Sequence, residues 1–203
     1  MKIVLATANP DKIMEIRLLW DDLPVELIPL SDLESFEPPE ETGTTLRENA
    51  LLKARAAAEF SGMPAVADDT GLEVTALQGE PGVYSSRFAG EDAEYADNRK
   101  LLLERLGGIP ESARSAAFRT VVALCTPHGD CWTAEGVCRG TITESERGVG
   151  GFGYDPIFFI PEYGETFAEM SAARKNDISH RGKAFRNARD LVYALLERAH
   201  PHL

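Results

Sequence analysis

Val66-Ala67-Asp68-Asp69-Thr70-Gly71 places two adjacent carboxylates where a short apolar run meets a turn. Open α/β sheets put their chemistry at strand ends that face a crevice, so this stretch predicts both a fold class and a site. Neighbouring side chains on an extended chain point to opposite faces, and Asp68 and Asp69 are therefore expected to do different jobs. Asp-Thr-Gly is also ordinary turn chemistry, so the weight of the reading comes from its surroundings.

Upstream, Lys2 to Ala6 reads as a buried strand, followed by Thr7-Ala8-Asn9-Pro10-Asp11-Lys12 and a helix with Ile13, Ile16, Leu19 and Trp20 on one side. A short strand near Val25 to Ile28 leads into an acidic loop, Glu34 to Gly43, holding Pro38, Pro39, Glu40 and Glu41. Thr45 and Glu48 form a capping box for a helix that carries Leu46, Ala50, Ala54 and Ala57 on one face and ends near Gly62. Downstream, a strand over Leu72 to Leu77 and a turn over Gly79 to Gly82 precede a helix from about Ala93 to Leu106. Ala116 to Cys125 and Cys131 to Cys138 flank Pro127-His128-Gly129-Asp130 and predict a hairpin, with further short strands near Thr141 and Ile157. Ala184, Ala188, Leu191, Val192, Leu195 and Leu196 mark a closing amphipathic helix, for which Ser179 is a candidate cap. Helices alternating with strands around one hairpin predict an α/β architecture with a mixed sheet. No repeat or linker divides the chain, so residues 1–203 are expected to form a single domain, with two lobes around one cleft.

With 203 residues and 43% hydrophobic content the chain can bury one good core. A formal charge of -12 argues against a nucleic-acid coating protein, which needs a basic face to displace counterions. A small polyanion still fits where basic groups and a metal gather locally. Cys125, Cys131 and Cys138 lack Cys-x-x-Cys spacing and leave an odd thiol. That pattern predicts free, buried thiols in a reducing compartment. The N-terminus lacks a signal-peptide core and no segment reaches membrane-spanning length, so a cytoplasmic location is expected.

Four groups of residues could carry chemistry. The turn of Thr7, Asn9 and Lys12 opens a helix, where free N–H groups and the helix dipole favour an anion such as phosphate. It lacks the glycines and Lys-Ser/Thr ending of a Walker A loop, and it also suits a simple capped helix. Glu40, Glu41, Asp68 and Asp69 offer hard oxygen donors of the kind Mg²⁺ prefers, although the two glutamates equally suit a solvated acidic loop. Gly148 to Pro156 combines glycines with Phe152 and Tyr154, either of which could stack on a base while Asp155 orients it or holds a basic neighbour. Lys175, His180, Arg181 and Lys183 concentrate donors before the last helix; the lysines and Arg181 are candidate phosphate or base contacts.

In this order the blocks Thr-x-Asn-x-x-Lys at 7–12, Glu-Glu-Thr-Gly at 40–43 with Glu48-Asn49-Ala50, Asp-Asp-Thr-Gly at 68–71, Gly-Gly-Phe-Gly-Tyr-Asp-Pro at 150–156 and Ser-His-Arg-Gly at 179–182 resemble the Ham1/RdgB family of inosine triphosphate pyrophosphatases. The resemblance implies an elongated two-lobed mixed-sheet fold of the ITPase-like Ham1/Maf type with a central substrate cleft. It also implies a homodimer that hydrolyses ITP, dITP or XTP to the monophosphate and pyrophosphate with Mg²⁺. By position, Thr7, Ala8, Asn9, Pro10, Asp11 and Lys12 would cradle the triphosphate. Glu40 and Asp69 would serve the metal, and Asp69 would also accept a proton from water. Thr70, Phe152, Gly153, Tyr154, Asp155, Lys175, His180 and Arg181 would contact substrate, with His180 and Arg181 as donors to a 6-keto group. Ala8 departs from the family's usual Gly, and Ser85-Ser86-Arg87 from its usual Ser-x-Arg with His or Ala between. A Maf-type pyrophosphatase and a nucleotide sensor without hydrolytic activity are the competing readings.

Overall fold

The computed structural model describes residues 1–199. The strands are β1 (Lys2–Leu5), β2 (Glu26–Pro29), β3 (Ala65–Val74), β4 (Pro81–Gly82), β5 (Ser115–Cys125), β6 (Cys131–Ile142), β7 (Phe158–Ile160) and β8 (Glu165–Thr166). The helices are α1 (Pro10–Leu19), α2 (Leu46–Ser61), α3 (Tyr95–Arg105), α4 (Ala172–Ile178), α5 (His180–Asn187) and α6 (Arg189–Ala199). One open, mixed sheet runs in the order β2-β1-β3-β5-β6-β7-β8, with β4 paired to β3. β1 is parallel to both β2 and β3, whereas β3–β4, β6–β7 and β7–β8 are antiparallel. Parallel neighbours need a crossover, and α1 and α2 supply the two that this sheet requires.

Local chemistry sets the element ends. The Asn9 side chain accepts hydrogen bonds from the N–H groups of Asp11 and Lys12 at 2.9 and 3.2 Å, and Pro10 takes the first helical position of α1, where no N–H is needed. Thr45 and Glu48 make the reciprocal capping box at the start of α2, and Gly62 closes that helix at φ 66°.

The described residues divide into two compact units, the first comprising residues 1–69, 120–136 and 181–199, the second residues 70–119 and 137–180. In the first, Ile3, Leu5, Val66, Val122 and Leu124 from the strands pack with Ile16, Trp20, Phe185 and Val192 from the helices. Trp20 meets Phe185 edge-on at 5.1 Å and donates its indole N–H to the Phe185 carbonyl. In the second, Leu72, Val74, Phe118 and Ile142 pack with Leu102, Leu106, Tyr154, Phe158 and Phe167. Among the described residues no helix is long and apolar enough to cross a membrane.

Four readings need correction. Asp68-Asp69-Thr70-Gly71 is not a turn at a strand end: β3 runs unbroken through it to Val74, because Leu72 and Glu73 pair with Gly82 and Pro81 of β4. Ladder pairing and burial override the local turn preference. Of the strand expected at Leu72 to Leu77, the first half is the end of β3 and Thr75–Leu77 form a 3-10 turn, while the strand expected near Thr141 is the end of β6. The closing helix is two helices, α5 and α6, and Ser179 lies in extended backbone where α4 ends and α5 begins. Cys125 and Cys131 form a disulfide across the β5–β6 turn, where their Cα atoms lie 4.2 Å apart, while Cys138 is buried and outside the bridge. Hairpin geometry thus supplies the proximity that Cys-x-x-Cys spacing was expected to signal, and the thiol argument for a reducing compartment falls away.

Candidate active site

In the first unit, β3 presents Asp68 and Asp69 to different partners. Asp68, with a side chain fully removed from solvent, takes Lys12 Nζ from α1 at 3.0 Å and the Arg181 guanidinium from α5 at 3.4 Å. Arg181 is in turn clamped by Glu15 of α1 at 2.7 Å. Asp69 takes Lys53 Nζ from α2 at 3.0 Å, and the same ammonium lies 2.7 Å from Glu41 in the acidic loop. The amide of Asn49, one turn before Lys53, reaches Asp69 at 3.4 Å. Cations and carboxylates therefore alternate from Glu15 through Arg181, Asp68 and Lys12 on one face of β3, and from Asp69 through Lys53 to Glu41 on the other.

Burial divides the two aspartates electrostatically. For Asp68 the desolvation penalty is outweighed by Lys12, Arg181 and Lys53, which hold its carboxyl well below the usual carboxylate range. For Asp69 desolvation prevails over the opposing pull of Lys53 and Lys12, and Glu41 adds to it, so its affinity for a proton rises. Burial lowers the Lys12 pKa despite Asp68, whereas Lys53, also penalised by burial, is raised on balance by Asp69 and Glu41. One carboxylate is locked as an anion and its neighbour is tuned towards proton acceptance, a division suited to a structural counter-ion and a general base.

The expected cradle at Thr7 to Lys12 is a capped turn: Thr7 Oγ1 accepts from Asn9 N–H at 3.2 Å, and Asn9 satisfies the N–H groups of Asp11 and Lys12. Ala8 and Pro10 are exposed. What this turn brings to the cluster is the Lys12 ammonium. Glu40 is exposed, and Glu41 is the glutamate that joins Asp69 through Lys53. No cluster of three or more His, Cys, Asp or Glu with metal-holding geometry occurs among the described residues. Asp69 and Glu41 are nonetheless two hard oxygen donors of the kind Mg²⁺ prefers, and in this structure the Lys53 ammonium lies between them.

In the second unit, Asp155 organises the glycine-rich loop. Its Oδ2 accepts from the Phe152 N–H at 2.8 Å and from Lys175 Nζ at 2.6 Å, and that ammonium lies 4.8 Å from the Phe152 ring centroid. Gly151 adopts φ +69°, and a Cβ there would run into the Asp155 carboxylate. Of the two expected stacking rings, Tyr154 belongs to the core, with its hydroxyl donated to the Ser85 carbonyl at 2.9 Å. Phe152 is only partly covered, and Gly153 beside it likewise. His180 is buried and stacks on Phe118 at 4.3 Å. Thr70, half-buried, follows Asp69 directly on β3.

Sequence reasoning missed Lys53, Asn49 and Glu15. Asn49 and Lys53 had a legible signal: two polar residues spaced i, i+4 beside the small apolar stripe of α2. Glu15 offered none, since its partner Arg181 lies far along the chain.

The sequence profile of the Ham1 family matches residues 3–191. A dITP/XTP pyrophosphatase of Desulforamulus reducens is 48% identical over 195 residues, covering 96% of this chain and 97% of the relative. One of Haemophilus influenzae is 50% identical, covering 90% and 94%. Among solved structures, a Ham1 protein from Coxiella burnetii superposes with a TM-score of 0.86 at 43% identity, covering 97% of this chain and 99% of that one. A nucleoside-triphosphatase / dITP/XTP pyrophosphatase from Mycobacterium abscessus gives 0.74 at 41%, covering 92% and 96%. Match along nearly the whole length, in sequence and in fold, places this chain in the Ham1 family.

Proposed function

We propose that the protein hydrolyses noncanonical purine nucleoside triphosphates, of the ITP, dITP and XTP class, to the monophosphate and pyrophosphate. The observation that carries the reading is the geometry on β3: Asp69, reached by Lys53 and Asn49, beside an Asp68 that gathers Lys12 and Arg181.

Asp69 orients the attacking water and receives its proton, its raised proton affinity matching that task. Lys12, held by Asp68, balances charge on the phosphate chain, and Arg181, fixed by Glu15 and Asp68, adds a donor on the same side. Asp69 with Glu40 would hold Mg²⁺, as the family resemblance implies, and Glu41 offers a further oxygen donor beside Asp69. When bound, the ion supplies charge neutralisation on phosphate oxygens. Thr70 and the Thr7 to Asp11 turn are assigned to substrate contact by position alone. Phe152, Lys175, Asp155 and His180 are assigned to contact with the base by the family resemblance, with His180 as a donor to a 6-keto oxygen. Adenine presents a donor at that position and would leave buried groups unpaired, a mismatch that disfavours it.

A homodimer working in the cytoplasm completes the proposal; the family resemblance supports the dimer, and light scattering on purified protein tests the assembly. Incubation with ITP and ATP, assaying pyrophosphate separately from orthophosphate, tests the activity.

A further inference from the structure

We propose that Arg99 of α3 is a positioning residue that fixes the base-reading loop and so sets purine selectivity. The inference rests on the functional reading above and deepens it. Arg99 grips Glu146 bidentately, Nε to Oε1 at 2.8 Å and a terminal nitrogen to Oε2 at 3.3 Å. Its other terminal nitrogen donates to the Gly153 carbonyl at 2.9 Å. One guanidinium therefore ties both ends of the segment 146–153, and the planar fork that makes this possible is a property of arginine that lysine lacks. The Arg99 side chain is 15% exposed and Glu146 46%, so the bond to the Gly153 carbonyl is better shielded from competing water than the pair with Glu146.

The same helix braces the loop a second time. Tyr95, one turn before Arg99, packs against the Phe152 ring at a centroid distance of 5.9 Å. Phe152 is thus bounded by Tyr95 on α3 and by the Lys175 ammonium on α4, while its backbone is held to Asp155. Asn98, between them, accepts from the Ala89 N–H at 2.8 Å and donates to the Ser86 carbonyl at 3.0 Å, anchoring α3 itself. A loop rich in glycine has many conformations to lose, and selectivity between a purine and its close relative depends on holding one of them before the base arrives. Arg99 touches no reacting atom in this scheme, so its removal weakens binding and discrimination more than turnover.

The test compares wild-type protein with R99L, R99K and E146Q, measuring kcat and KM for pyrophosphate release from ITP and GTP alongside thermal unfolding. Loss of charge-assisted bonds of this kind predicts that R99L raises KM for ITP about tenfold, with kcat within about twofold. The preference for ITP over GTP shrinks by a similar factor, and R99K and E146Q fall between R99L and wild type. Unchanged KM and unchanged preference in a folded R99L overturn the proposal; should R99L fail to fold, the same result in E146Q does so. A wild-type protein that releases no pyrophosphate from ITP overturns the functional reading itself, which separates the two failures.

Discussion

Asp68 and Asp69 are chemically identical neighbours, and only their surroundings distinguish them. Asp68 is enclosed by Lys12 and Arg181 and stays ionised; Asp69 shares Lys53 with Glu41 and gains affinity for protons. Asp69→Asn removes the acceptor while preserving shape, and it should lower kcat by about a hundredfold or more with an unchanged far-ultraviolet spectrum. Full activity in that variant would remove Asp69 from the chemistry. Lys53→Met leaves two carboxylates facing each other without their shared cation, a defect of about 3 kcal/mol by analogy with broken buried pairs, read as a lower denaturant midpoint. Gly151→Ala imposes a side chain at positive φ and pushes on Asp155, so it should raise KM for ITP more than it lowers kcat.

At the scale of elements, α2 shows what a sequence reveals and what it conceals. Its start, its end and its apolar stripe were all legible, because Thr45, Glu48 and Gly62 act within a turn of themselves. Thr45→Ala should cost about 1 kcal/mol and lower the melting temperature by about 2–4 °C, since it deletes the acceptor for the Glu48 N–H. Hidden in the same helix was Lys53, whose partners come from a loop and a strand that only folding brings near. β3 failed in the opposite sense: Asp-Asp-Thr-Gly has strong local turn chemistry, yet pairing with β4 holds it extended. The Cys125–Cys131 bridge was likewise invisible to spacing rules, since it depends on the register of the β5–β6 hairpin. In the glycine-rich loop the sequence does not distinguish the two aromatics; burial separates Tyr154, a core ring, from Phe152.

For the whole molecule, each compact unit has its own apolar centre, and each centre contains a fully buried phenylalanine. Phe185→Ala in the first unit and Phe158→Ala in the second should each cost about 3–5 kcal/mol in urea unfolding, because neither site can refill the lost volume. The chain is acidic, -12 overall, and Lys12 of α1, Lys53 of α2 and Arg181 of α5 are the cations beside β3 that can answer a polyanionic substrate. The measurement that bears most directly on the account is pyrophosphate release from ITP, XTP, GTP and ATP, with Mg²⁺ and with the metal chelated. Pyrophosphate from ITP and XTP, strongly preferred over GTP and ATP and abolished by chelation, is the predicted result. Orthophosphate as the product, or tight binding of ITP without turnover, would contradict it.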